Sequence, residues 1–254
     1  MADSAMPRAP GVPETNFVIL GHPRSGSTLL LNALREHPGL RVYGELFQEE
    51  LEERRNGFGA ADGVYEPSMD GASFLAERIF RRRDDPDLLA VGFKLFYLQA
   101  REPQARSAWR YLLNRTDVRI IHLTRDNALD TFVSLSEAEA SGRWHVEIDE
   151  AIPTSEPIRI DPERCLAFLD AIYAYREWAR RAFWAHEALE LSYERLHADF
   201  SAALFDVQSF LGVPPVPLPA LLRKQGVRPL SARITNFAEI TELLRRTVHA
   251  PRES

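Results

Sequence analysis

The stretch from Phe17 to Leu34 constrains this chain more than any other. Phe17-Val18-Ile19-Leu20 is an apolar run that feeds into Gly21-His22-Pro23-Arg24-Ser25-Gly26-Ser27-Thr28, and a periodic apolar segment from Leu29 to Leu34 follows. Apolar run, Gly/Pro/Ser turn, periodic segment is the order of a buried strand, a tight loop and a helix N-terminus. A loop in that place aims successive backbone N–H groups and the positive end of a helix dipole at one spot, which suits a phosphate or sulfate. Gly21 and Gly26 satisfy a G-x-x-x-x-G frame, but Ser27-Thr28 stand where a nucleotide-hydrolysing loop would carry Lys-Ser/Thr. Arg24 is the loop's cation, and that argues against ordinary ATP or GTP hydrolysis.

Further along, apolar runs at Leu40–Tyr43, Leu88–Phe96, Val118–Thr124 and Leu189–Tyr193 read as strands. Helical patterns are read at Glu49–Arg55, Ser73–Arg83, Gln104–Asn114, Asn127–Ala140, Pro162–His186, Phe200–Leu211 and from Phe237 to about Val248. Strands alternating with helices predict an α/β chain, a P-loop-like three-layer sandwich whose central, mainly parallel sheet is flanked by helices. Ligands of such sheets bind beyond the carboxyl ends of the strands. That rule sends Ser25, Lys94, Arg125 and Tyr193 to one crevice. Residues 56–72 and 143–161 read as loops, 224–236 as irregular, and 1–15, with Pro7, Pro10 and Pro13, as a flexible tail ahead of a single domain over 16–254.

Composition narrows the functional classes. At 254 residues, 45% hydrophobic and 27% charged, the chain has the make-up of a soluble globular protein. A net charge of −6 gives no basic field to recruit nucleic acid. No apolar run is long enough to span a bilayer, and the N-terminus lacks a signal-peptide pattern. Cys165 is the single cysteine, which rules out an intrachain disulfide and suits a reducing, cytoplasmic setting. The seven histidines show no metal-ligand spacing, so no metal is expected, and His122, inside an apolar strand, reads as a satisfied core histidine. Lysines number only two, Lys94 and Lys224; a bias this strong toward arginine points to a GC-rich bacterial genome.

Pro23-Arg24-Ser25-Gly26-Ser27-Thr28-Leu29-Leu30 resembles the 5′-phosphosulfate loop of sulfotransferases that use 3′-phosphoadenosine-5′-phosphosulfate (PAPS). It is closest to the Pro-Arg-Ser-Gly-Ser-Thr form of bacterial and carbohydrate-type enzymes. The resemblance assigns Pro23, Arg24, Ser25, Gly26, Ser27 and Thr28 to the donor's phosphosulfate. Arg125 and the segment through Ser134 resemble the family's 3′-phosphate element, where guanidinium and hydroxyl grip the nucleotide. Ser134 stands nine residues after Arg125 where cytosolic enzymes have eight, a rotation of about 100° on a helix. The plainer alternative for Arg125 is a surface arginine in an N-terminal capping cluster.

Glu45, in Tyr43-Gly44-Glu45-Leu46-Phe47, matches the position where carbohydrate-type enzymes often carry a general base, and a carboxylate there can take the acceptor's proton. Its plainer role is to open a charged helix. Cytosolic relatives use a histidine two residues past a strand-end lysine; here Lys94-Leu95-Phe96 puts phenylalanine there. Lys94, with Arg24, would stabilise charge as the bond to sulfur breaks. Tyr193, in Tyr193-Glu194-Arg195-Leu196, resembles the residue near adenine, and core packing explains it as well. Lys224 and Arg228 resemble the C-terminal loop that closes on the nucleotide.

The implied reaction is sulfuryl transfer from PAPS to a hydroxyl, less readily an amine, leaving 3′-phosphoadenosine 5′-phosphate (PAP). The implied partners are a small-molecule acceptor such as a sugar or secondary metabolite, no nucleic acid and no membrane, with a homodimer as the assembly considered. Competing readings are a P-loop-type small-molecule kinase, a sulfotransferase using an aryl sulfate donor, and a silent nucleotide-binding protein.

Overall fold

The computed structural model describes residues 14–47, 65, 68–144, 156–221 and 228–247. The chain divides into two compact units, one of residues 1–124 with 179–220 and the other of residues 125–178 with 221–254.

The first unit holds β1 (Thr15–Gly21), α1 (Ser27–Arg35), β2 (Leu40–Glu45), α2 (Gly71–Phe74), β3 (Ala90–Phe96), α3 (Ser107–Asn114) and β4 (Arg119–Thr124). The segments α4 (Ala128–Ser141) and α5 (Pro162–Ala182) follow in the chain before β5 (Ala188–Ser192), α6 (Tyr193–Ala198) and α7 (Phe200–Leu211). Five parallel strands pair in the order β2-β3-β1-β4-β5, which puts β1 at the centre. Strands covered on both faces must be apolar throughout, and every residue of β3 is buried.

Parallel register sorts the side chains. Phe17 and Ile19 of β1, Ile121 and Leu123 of β4, and Leu191 of β5 share a core with Leu30 and Leu34 of α1 and Leu204, Val207 and Leu211 of α7. Gly92 faces Phe17 in that layer, where an added Cβ would lie 2.5 Å from the ring. Lys94 stands two residues on, paired with Ile19, and therefore on the same face as α1. The opposite face carries Leu20, Leu95 and His122, all at most 2% exposed.

The second unit is held by Phe132 and Val133 of α4, Cys165, Leu169 and Ile172 of α5, and Ile240 and Leu244 of α9 (Phe237–Arg245). A single turn, α8 (Leu230–Arg233), precedes α9, and Ile234 bridges to Ile158 in parallel. Asn236 fixes that junction, accepting from Ile160 N at 2.9 Å and donating to Ile160 O at 2.9 Å.

The alternating, mainly parallel α/β arrangement stands as the sequence predicts, with four local corrections. The helix expected to reach Arg83 ends at Ile79 in a π-type turn, Leu75–Ile79. The cause is Arg83 itself, whose guanidinium donates to the carbonyls of Ile79 and Arg78 and to the Tyr43 hydroxyl, capping the turn from below. Helix α5 stops at Ala182, short of His186, whose ring bonds Leu112 O at 3.0 Å. Tyr193 is not the end of a strand: it opens α6, capped by the Ser192 side chain on Arg195 N. The irregular stretch before Asn236 contains α8. The expected helix at Glu49–Arg55, and most of loops 56–72 and 143–161, lie outside the described residues.

Burial pushes the Cys165 thiol up to about 11, because the thiolate has no polar partner in an apolar core. At pH 8 the thiolate fraction should be about 0.1%, against roughly a quarter for a free thiol. Ellman's reagent should therefore leave the folded protein unmodified at pH 8, and one thiol per chain should titrate once denaturant is added.

Candidate functional site

The loop between β1 and α1 is built from strained and uncapped backbone. Arg24 has φ 67 and Gly26 φ 86, two left-handed residues in three. A left-handed arginine costs about 1 kcal/mol or more and persists only where surroundings impose it. No side chain caps α1, and its first turn has no acidic residue, so an anion can meet the N–H groups there unopposed. Ser25 N donates to His22 O at 3.3 Å and Leu30 N to Gly26 O at 3.1 Å, which closes the loop onto the helix. The Ser25 hydroxyl is the informative atom: Ser25 is 1% exposed, and its Oγ has no hydrogen-bond partner among the described residues. Leaving a buried hydroxyl unmade costs about 1–3 kcal/mol, and a ligand oxygen would remove the cost.

Two neighbours fix the loop's shape. At Gly26 a Cβ would lie 2.7 Å from Tyr193 Cδ2, so the backbone fits under that ring only as glycine. Tyr193 also lies parallel to the His197 ring, with centroids 5.8 Å apart. Its observed role is to brace the loop. Pro23 and Arg24 are half-buried, Ser27 is buried and Thr28 half-buried.

Glu45 and Lys94 meet beside α1. Lys94 Nζ lies 2.7 Å from Glu45 Oε1 and donates to Thr28 Oγ1 at 3.3 Å, with the Phe96 ring centroid at 5.1 Å. The second carboxylate oxygen of Glu45 accepts from Gln99 Nε2 at 2.7 Å. Gln99 is itself fixed, accepting from Phe96 N, while its carbonyl takes the Trp109 indole N–H. This geometry depends on an irregularity in β2. Val42 pairs with Gly92 and Tyr43 with Phe93, but Glu45, not Gly44, pairs with Lys94. One extra residue at Gly44 carries Glu45 to the lysine's side of the sheet. No sequence spacing reveals that bulge, nor the part played by Gln99.

His122 has both ring nitrogens engaged at 2.7 Å, Nε2 by the Tyr97 hydroxyl and Nδ1 by Glu190 Oε1. Burial raises the Glu190 carboxyl, but the His122 and Arg180 partners outweigh it and hold the group below the usual range.

In the second unit, Arg125 directly follows β4 in the chain and is 5% exposed. Its Nη2 donates to Asp130 Oδ2, and its carbonyl accepts from Arg176 Nη2. Asp130 also takes Arg233 Nη1 at 2.6 Å through Oδ1, and Arg233 binds both oxygens of Glu137, at 3.0 and 2.6 Å. Burial alone would lower the Arg233 guanidinium, but Glu137 and Asp130 raise it overall. Asp130, Ser134 and Glu137 stand at helical spacing on one stripe of α4, so the buried Ser134 lies between the two carboxylates that hold these arginines. Arg228 donates to Ala232 O at 3.1 Å; Lys224 lies outside the described residues. Arg233 and Arg176 carry no motif that singles them out in the sequence.

A family model described as the sulfotransferase family matches residues 16–217. The chain is 26% identical over 237 residues to nodulation protein H of Rhizobium meliloti (strain 1021), covering 90% of this chain and 91% of that one. It is 27% identical over 240 residues to nodulation protein H of Rhizobium tropici, covering 88% and 87%. Among solved structures, a sulfotransferase from Alicyclobacillus acidocaldarius aligns with TM-score 0.47 and 15% identity over 94% of this chain and 99% of that one.

Gly26→Ala should destabilise the fold by about 1–3 kcal/mol, from its positive φ and from overlap with Tyr193. Tyr193→Ala should recover only the overlap share, so denaturant titration of both single variants and the double should show non-additivity. Strict additivity would mean that the ring does not brace the loop.

Proposed function

Because this chain belongs to the sulfotransferase family, we propose that it moves a sulfuryl group from PAPS to the hydroxyl of a small-molecule acceptor such as a sugar or secondary metabolite. Sulfuryl transfer is the family's chemistry; the donor, the acceptor class and the residue roles are our reading. The observation that carries the reading is the buried Ser25 hydroxyl, which has no partner among the described residues, in a loop whose helix N-terminus none of those residues' side chains caps. A sulfate or phosphate oxygen satisfies both at once.

In this reading Pro23–Thr28 hold the donor's 5′-phosphosulfate, through the N–H groups of the first turn of α1, the Ser25, Ser27 and Thr28 hydroxyls and the Arg24 guanidinium. Arg125 and Ser134 take the 3′-phosphate, with Lys224 and Arg228 in support. When bound, the donor supplies the sulfuryl group and a phosphate leaving group. Lys94, tethered at once to Thr28 and Glu45, directs its ammonium at the charge that collects on that phosphate, a contribution of about 3–4 kcal/mol for one well-placed donor. Glu45 accepts the acceptor's proton. Gln99 and Lys94 fix the direction of its carboxylate, and proton uptake by Glu45 frees Lys94 to face the departing phosphate. No metal has a role in this scheme.

PAP at about 100 times its dissociation constant should stabilise the protein by about 2.7 kcal/mol in a thermal-shift titration, and ADP should do far less. Arg125→Ala should erase that preference. Equal shifts with PAP and ADP in the unaltered protein would overturn the donor assignment, as would turnover with an aryl sulfate and none with PAPS. Glu45→Gln should lower kcat about 100-fold or more while PAP binding persists. Unchanged turnover would remove Glu45 from the chemistry.

A further inference from the structure

Tyr97, His122 and Glu190, on the face of the sheet away from α1, take no part in the scheme above. Tyr97 is 5% and His122 2% exposed; the phenol oxygen lies 2.7 Å from Nε2, and Nδ1 lies 2.7 Å from Glu190 Oε1. His122 and Glu190 are register partners in β4 and β5, and Arg180 Nη2 donates to the other Glu190 oxygen at 3.2 Å. A carboxylate only accepts, so Nδ1 carries a proton, and the ring in its neutral form takes the Tyr97 O–H on Nε2. Apolar side chains of the same shape would fill this space at little or no cost in stability. What the hydrogen bonds add is direction, because they fix where Tyr97 stands.

Tyr97 joins two pieces of the site. Its backbone N–H donates to Gly21 O at 3.1 Å, at the end of β1 where the Pro23–Thr28 loop departs. Its chain neighbours close a turn: Gln99 N donates to Phe96 O at 3.0 Å, and Phe96 N to Gln99 Oε1 at 2.9 Å. From that turn Gln99 Nε2 reaches Glu45, and the next residue, Ala100, has φ 55, a conformation that only surrounding structure can hold. The Trp109 indole N–H donates to Gln99 O at 2.9 Å. We propose that Tyr97 is a positioning residue for sulfuryl transfer: locked through His122 by Glu190, it sets the Gln99 turn against the donor loop and so aims the Glu45 carboxylate. This rests on the reading of Glu45 as the base. Tyr97 acts through Gln99, so loss of its hydroxyl costs turnover and spares donor affinity.

The test uses the full chain, with the indole N–H NMR resonance of Trp109 reporting on the turn and PAP release from PAPS, water being the acceptor, reporting on turnover. Tyr97→Phe keeps the ring. It should move the Trp109 resonance, lower kcat about 10-fold or more, and leave the dissociation constant of PAP by isothermal titration calorimetry within about twofold. In a Gln99→Leu background the same substitution should cost less than about twofold, because the path is already cut. Tyr97→Phe combined with His122→Leu removes both partners, leaves neither an orphan and guards against a folding defect; it should recover the denaturation midpoint but not the turnover. An unmoved indole resonance overturns the proposal by itself, and so does a full loss of turnover in the Gln99→Leu background or a recovery of turnover together with stability. If Glu45→Gln is impaired and Tyr97→Phe is not, this proposal fails and the base reading stands. If Glu45→Gln turns over normally, the base reading fails, and this proposal fails with it.

Discussion

The ion pair between Lys94 and Glu45 is the constraint on which the polar end of the first unit depends. Lys94 rises from a strand buried along its whole length, and its side chain is 5% exposed. An ammonium in that position must have acceptors, and Glu45 Oε1 and Thr28 Oγ1 provide them. The same two contacts tie β2 and α1 to β3, so electrostatic necessity and site construction coincide. A surface lysine would gain little from such a pair; a buried one leaves a large penalty if either partner is removed.

Much of the first unit was legible in the sequence because its strands are nearly continuous apolar runs and its turns carry Gly, Pro or Ser. The helix at Phe200–Leu211 matches the expected limits, and α1 begins where the loop glycine ends. What escaped reading was decided by tertiary partners. Arg83 ends a helix by collecting carbonyls, which no propensity anticipates. Ser192 recruits Tyr193 into a helix through one cap bond, so a residue read as strand became the brace of the loop. The site residues divide along the same line: the Pro23–Thr28 loop is a contiguous motif, whereas Gln99 and Arg233 act through contacts 54 and 96 residues away in sequence.

The second unit shows how buried charge is managed by shared carboxylates. Asp130 and Glu137 serve α4 on one stripe, and Arg233 bridges both, so the turn α8 is tied to α4 by charge-assisted bonds. Bidentate geometry suits arginine and would not transfer to lysine. The chain's preference for arginine is thus used structurally here, while Lys94, a compact ammonium reaching two oxygens and a ring face, does what a planar fork would do less well.

The irregular pairing at Gly44 makes the phase of β2 as important as its chemistry. Were the same residues paired without the bulge, Gly44 would stand opposite Lys94 and the Glu45 carboxylate would turn to the far side of the sheet. A more regular strand would be the less useful one. Anyone transplanting this scaffold must count residues there before choosing them.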